Sequence, residues 1–83
     1  CDIQQRMMDA ALQLVKESGK PSPQIILEGN YGYRKLLERK DIDAVIISTP
    51  WEWHTVQCLD AMNAKKWVGC EVITGMTVDE CWQ

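Results

Sequence analysis

Asp43 to His54 reads D-A-V-I-I-S-T-P-W-E-W-H, an apolar run that stops at Thr-Pro and opens onto two indoles, a carboxylate and an imidazole. Ala44, Val45, Ile46 and Ile47 suit a strand covered on both faces, and Pro50 ends the ladder because it has no backbone donor. In an open α/β sheet, ligands bind beyond the carboxyl ends of such strands. Trp51, Glu52, Trp53 and His54 would then line a site, and His54 is the one side chain in the chain that titrates near neutrality. The plainer alternative is a buried strand followed by a helix, with the two tryptophans as packing bulk and His54 as a helix-start residue that orients a loop.

The elements around this junction follow from hydrophobic spacing. Met7, Met8, Ala11, Leu12, Leu14 and Val15 recur three and four apart, which predicts a helix over 3–18 with one buried face. Gly19 supplies a left-handed stop, and Pro21 and Pro23 forbid continuation. Ile25 to Leu27 reads as a short strand. Asn30 is a candidate cap for a helix that turns Tyr33, Leu36 and Leu37 inward. Beyond the 44–49 strand a helix is expected over 54–64, burying Val56, Leu59 and Met62 or their neighbours. A strand over 67–72 follows, and then a helix whose Thr77 and Glu80 have capping-box spacing. Alternation with short loops predicts an α/β chain with a parallel sheet.

Composition places these 83 residues among globular sequences, with 46% hydrophobic and 25% charged residues. Nine basic and twelve acidic residues give a net charge of −3, and Arg34, Lys35, Arg39 and Lys40 interleave with acids, which argues for a solvated helix face and against nucleic-acid binding. No apolar segment nears the roughly 20 residues that span a bilayer, and no signal peptide is visible, so the expectation is a soluble protein, cytoplasmic or exported, any signal peptide lying upstream. Cys1, Cys58, Cys70 and Cys81 lack C-x-x-C spacing, and His54 is not grouped with them, so no metal site is expected. Separate buried thiols are predicted, Cys58 and Cys70 as small core residues.

Cys1-Asp2 reads as the end of a strand, and the helix capped at Thr77 reads as a truncated one. The expectation is therefore a piece of a larger domain. A G-x-G-x-x-G phosphate loop is nowhere in these residues, and Gly29 and Gly32 do not replace it.

The ordered set of Cys1-Asp2, Tyr33-Arg34-Lys35-Leu36-Leu37, Asp43 to Pro50, His54 and Glu71 resembles the nucleotide-binding domain of the glucose-fructose oxidoreductase, inositol dehydrogenase and rhizopine-catabolism (Gfo/Idh/MocA) superfamily. T-P-W-E-W-H, C-E-V and G-M-T-V-D-E-C-W are similar to its NAD-dependent α-N-acetylgalactosaminidase branch, glycoside hydrolase family 109. The resemblance implies a partial Rossmann-like, doubly wound parallel sheet lacking the first strand and the Gly-rich loop. Residues 1–83 would be the C-terminal portion of an NAD-binding domain, without the substrate domain. It implies NAD as cofactor in the complete protein. Asp2 would accept from the adenosine ribose, although a helix N-cap is its local alternative. Trp51, Glu52, Trp53 and His54 would follow the nicotinamide half, and Glu71 and Val72 would lie beside them. Val72 stands where the superfamily's oxidoreductases carry a proton-transferring lysine, which weighs against a plain dehydrogenase. Lys65 stands where the family usually has glycine, so modest strain or another helix ending is expected there.

The activity so implied is net glycoside hydrolysis: hydride removal at a sugar C3, elimination, hydration and hydride return. The catalytic residues are not identifiable in this chain. A sugar or glycoside would be the complete protein's substrate, with no nucleic-acid partner and no membrane span. The 83 residues alone are expected to be inactive and prone to self-association through open strand edges. A sugar or polyol dehydrogenase and a noncatalytic α/β interaction module are the alternatives.

Overall fold

Helix and strand alternate along the chain as the spacing predicts, with one expected strand missing. The computed structural model describes residues 1–83, which form two units, Cys1–Leu36 and Leu37–Gln83.

In the first unit, helix α1 runs Gln5–Glu17. Gly19 ends it with φ 76°, and the Gly19 N–H donates to Lys16 O at 3.1 Å. The buried stripe is narrower than the sequence suggests. Met8 is buried and Leu12 and Val15 half-buried, at i, i+4 and i+7, while Met7, Ala11 and Leu14 are exposed. No strand forms in this unit, so only one row of the helix is covered. The expected strand at Ile25 to Leu27 is absent. Its one backbone bond outside the local chain runs from Asp2 N–H to Ile26 O at 3.2 Å, and a strand needs a continued ladder. Helix α2, Tyr33–Leu37, starts three residues after Asn30 and half-buries Tyr33, Leu36 and Leu37. It crosses the boundary between the units. Arg34 and Lys35 are exposed, as a solvated helix face requires; Lys35 pairs with Glu28, and Arg34 lies over the Tyr31 ring, 4.6 Å from its centroid.

The second unit is built on two parallel strands, β1 Ala44–Ile47 and β2 Trp67–Cys70, paired Ala44 with Trp67 through Ile47 with Cys70. Both are shorter than expected, ending at Ile47 and Cys70. Helix α3, His54–Asn63, makes the crossover and packs against both strands, so β1, α3 and β2 form a β-α-β unit. Val45, Ile47, Val68 and Cys70 face away from water, whereas Ala44, Ile46, Trp67 and Gly69 are exposed. The sheet is thus covered on one face only, which corrects the expectation that β1 is covered on both. The α3 contact face is also displaced from the expected one. His54, Gln57, Cys58 and Ala61 are buried, Val56 and Leu59 are half-buried, and Met62 is exposed. Cys58 and Ala61 are small enough to bring the helix backbone close to the strands.

Lys65 ends α3 with φ 61°. The Lys65 N–H donates to Met62 O at 2.9 Å and the Lys66 N–H to Ala61 O at 3.0 Å, the two bonds of a Schellman motif. The Lys66 ammonium then donates to Arg39 O at 2.6 Å, and Arg39 pairs with Asp41. Helix α4, Val78–Cys81, carries the expected capping box: Thr77 Oγ1 accepts from Glu80 N–H at 3.1 Å, and Glu80 Oε2 accepts from Thr77 N–H at 3.0 Å. No helix is long and apolar enough to cross a membrane.

Candidate functional site

The parallel register brings the ends of β1 and β2 side by side, so the Ser48 to Trp53 connection and the segment after Cys70 both leave the carboxyl edge of the sheet. Pro50 precedes a 3₁₀ turn, Trp51–Trp53, whose Trp53 N–H donates to Pro50 O at 3.0 Å. Trp51 is 57% exposed and Glu52 is exposed, while Trp53 is half-buried. From β2, Glu71 N–H still donates to Ile47 O at 3.3 Å, and the Glu71 side chain and Val72 are exposed. The Val72–Ile73 peptide is cis.

His54 is different from its neighbours. It opens α3, is fully buried, and has both ring nitrogens against backbone carbonyls. Its Nε2 lies 2.8 Å from Thr49 O, and its Nδ1 is bonded to Ile73 O. The next residue acts alongside it: Thr55 Oγ1 donates to Thr74 O at 2.6 Å. Thr49 Oγ1 donates to Gln57 Oε1 at 2.8 Å, which satisfies a buried amide. These side chains therefore tie the loop after β1, the start of α3 and the loop after β2 together.

Thr49, Thr55, Gln57 and Ile73 were not among the residues singled out by the sequence reading. Gln57 did carry a signal, because a polar side chain three residues after His54 shares a helix face with Cys58 and Ala61. The role of Ile73 is invisible in sequence, since its contribution is a carbonyl oxygen.

Asp2 belongs to the first unit. Its Oδ1 accepts from Ile3 N–H at 2.6 Å and Gln4 N–H at 3.0 Å, immediately before α1, and its Oδ2 takes no hydrogen bond. The other six predicted residues, Trp51, Glu52, Trp53, His54, Glu71 and Val72, all lie in the second unit at the carboxyl edge described above.

The four cysteines are unpaired, and no group of His, Cys, Asp and Glu side chains could hold a metal ion. The expectation of buried thiols holds for Cys58, whereas Cys70 is half-buried and Cys1 and Cys81 are exposed. Burial, and after it a hydrogen bond to the Cys70 thiol and its charge, pushes the Cys58 thiol up to about 11. A groove of about 310 Å³ beside α3 has Cys58, Met62, Thr74 and Cys81 among its lining residues.

No protein-family model matches the chain. A glycosyl hydrolase family 109 protein of Shewanella sp. (strain ANA-3) is 43% identical over 83 residues, which are 100% of this chain and 18% of the relative. The alpha-N-acetylgalactosaminidase of Shewanella oneidensis is 43% identical over the same shares of both chains. A glycosyl hydrolase family 109 protein of Shewanella baltica (strain OS195) is 42% identical, again over 100% of this chain and 18% of the relative. The chain thus spans 18% of the length of the curated relatives it matches. By sequence, the whole of this chain is similar to one stretch of the glycosyl hydrolase family 109 proteins.

Proposed function

We propose that this chain carries part of the dinucleotide-binding domain of an NAD-dependent glycosidase, with an α-N-acetylgalactosaminide-type glycoside as the complete protein's substrate. The observation that carries the reading is the pair of parallel strands ending side by side, with exposed Trp51, Glu52, Glu71 and Val72 beyond their carboxyl ends. The similarity to an alpha-N-acetylgalactosaminidase supports the glycosidase side of it.

The exposed residues fit a dinucleotide. Trp51 and Trp53 offer aromatic surface for the nicotinamide half, and the Glu52 and Glu71 carboxylates can accept from ribose or sugar hydroxyls. In the first unit, Asp2 keeps Oδ2 open for a ribose hydroxyl while its Oδ1 holds two backbone amides. His54 contributes through position, because both its nitrogens are committed to Thr49 and Ile73. When bound, NAD would supply reversible hydride acceptance at a sugar carbon. Val72 has no ionisable group, so the proton transfers of such a reaction do not run through that position. The absence of a G-x-G-x-x-G loop removes the backbone cradle for the pyrophosphate.

Two measurements test the reading. Titrating the ¹⁵N-labelled chain with NAD should move the signals of Trp51, Trp53, Glu71 and Val72 in the millimolar range, and unmoved signals at this edge would sink the assignment. Calorimetry should find no micromolar NAD binding, since the phosphate loop is missing, and micromolar affinity would contradict that account. No turnover of an α-N-acetylgalactosaminide by the 83 residues alone is expected.

A further inference from the structure

We propose that His54 is a proton-dependent latch, holding the loop after β2 to the loop after β1 from the first turn of α3. The ring is shielded from water, and its nitrogens face two carbonyl oxygens, Thr49 O at 2.8 Å from Nε2 and Ile73 O at Nδ1. A carbonyl oxygen only accepts, so each of these bonds needs an N–H on the ring. A neutral imidazole carries one N–H and an imidazolium two. The ring therefore completes both bonds only when it is doubly protonated. A neutral ring makes one bond and sets a nitrogen lone pair against the other carbonyl oxygen.

The two acceptors are not equivalent. Thr49 lies five residues from His54 on the same β1-to-α3 connection, whereas Ile73 lies nineteen residues away, beyond β2. The Ile73 bond is accordingly the one that joins separate loops. Thr55 provides a second tie to the same loop, its hydroxyl donating to Thr74 O, and that bond does not depend on a proton. Losing the Ile73 bond thus loosens the loop without freeing it.

The titratable side chains on the surrounding elements are Glu52 in the 3₁₀ turn, Cys58 and Asp60 further along α3, and Cys70 and Glu71 at the end of β2. None of them hydrogen-bonds or ion-pairs with the ring, whose partners are the Thr49 and Ile73 carbonyls. As a positioning residue for the dinucleotide wall, His54 rests on the reading above. The latch itself is a property of the free chain and is tested without any nucleotide, so its failure leaves that reading standing.

The test is NMR of the ¹⁵N-labelled 83-residue chain between about pH 5 and 8, following the ring nitrogens and the amide protection factors of residues 71–76. Both ring nitrogens should be protonated wherever the loop is protected. As the ring loses a proton, protection should fall by about tenfold, the effect of one such bond. Thr55→Val should lower protection at every pH without moving the step, and Thr55→Ser should restore it. Because a His54 substitution removes a fully buried side chain and disturbs the packing of the unit itself, the unsubstituted chain and the Thr55 pair carry the test. A single neutral tautomer alongside a fully protected loop overturns the latch. Protection that does not follow the ring proton overturns it as well.

Discussion

Lys65 holds a left-handed backbone, φ 61°, at the position where a helix ending prefers glycine. A side chain there costs roughly 1–2 kcal/mol, part of which glycine returns through its greater freedom in the unfolded chain. Lys65→Gly should therefore stabilise the second unit by about 1 kcal/mol, seen as a higher urea midpoint at an unchanged slope. A lower midpoint would mean that the lysine side chain makes a contact worth more than the strain. Cys58 makes a second residue-level statement. Its thiol, pushed up from 9.0 to about 11 chiefly by burial, keeps its proton to higher pH in the folded chain than in the unfolded one. Its contribution to stability is present in full below about 9 and is lost as pH rises toward 11. At pH 8, iodoacetamide should label exposed Cys1 and Cys81 quickly and leave Cys58 untouched until the chain is unfolded. Rapid labelling of Cys58 in the folded chain would show that α3 does not shield it.

At the scale of elements, the one-sided burial of the sheet gives neighbouring isoleucines opposite roles. Ile47 is 7% exposed and faces α3, whereas Ile46 is 85% exposed on the uncovered face. Ile47→Ala should cost about 2–5 kcal/mol, and Ile46→Ala should stay within about 0.5 kcal/mol. Equal costs at the two positions would contradict the register. Helices α1 and α3, the Thr77–Glu80 cap and the parallel pairing were legible in the sequence because each has a local cause: apolar spacing, a capping box, or a strand-helix-strand order. The strand at Ile25 to Leu27 was not, because β pairing depends on a partner that local sequence does not display. The same dependence explains α3. Val56, Leu59 and Met62 and the observed His54, Cys58 and Ala61 make competing stripes on one helix, and proximity to β1 and β2 selected the second.

Taken as a whole molecule, the chain buries little of its apolar content. Met8, Ile47, Cys58 and Ala61 are its buried hydrophobic residues, although 46% of the sequence is hydrophobic. A chain of this length has a thin core in any case. The placement of Trp51, Glu52, Glu71 and Val72 at one sheet edge could be read from the end of an apolar run and the order of elements. The bonds that fix those loops could not, since the groups holding His54 and Thr55 are backbone carbonyls of Thr49, Ile73 and Thr74. The thin core has an optical consequence. Trp67 is 81% exposed, Trp82 85% and Trp51 57%, leaving Trp53 as the one half-buried indole. Three of the four fluorophores already emit from water in the native state, so the emission maximum should move little on denaturation while far-ultraviolet circular dichroism reports the loss of α1 and α3. A large red shift in urea would reveal indoles packed more deeply than the fold places them.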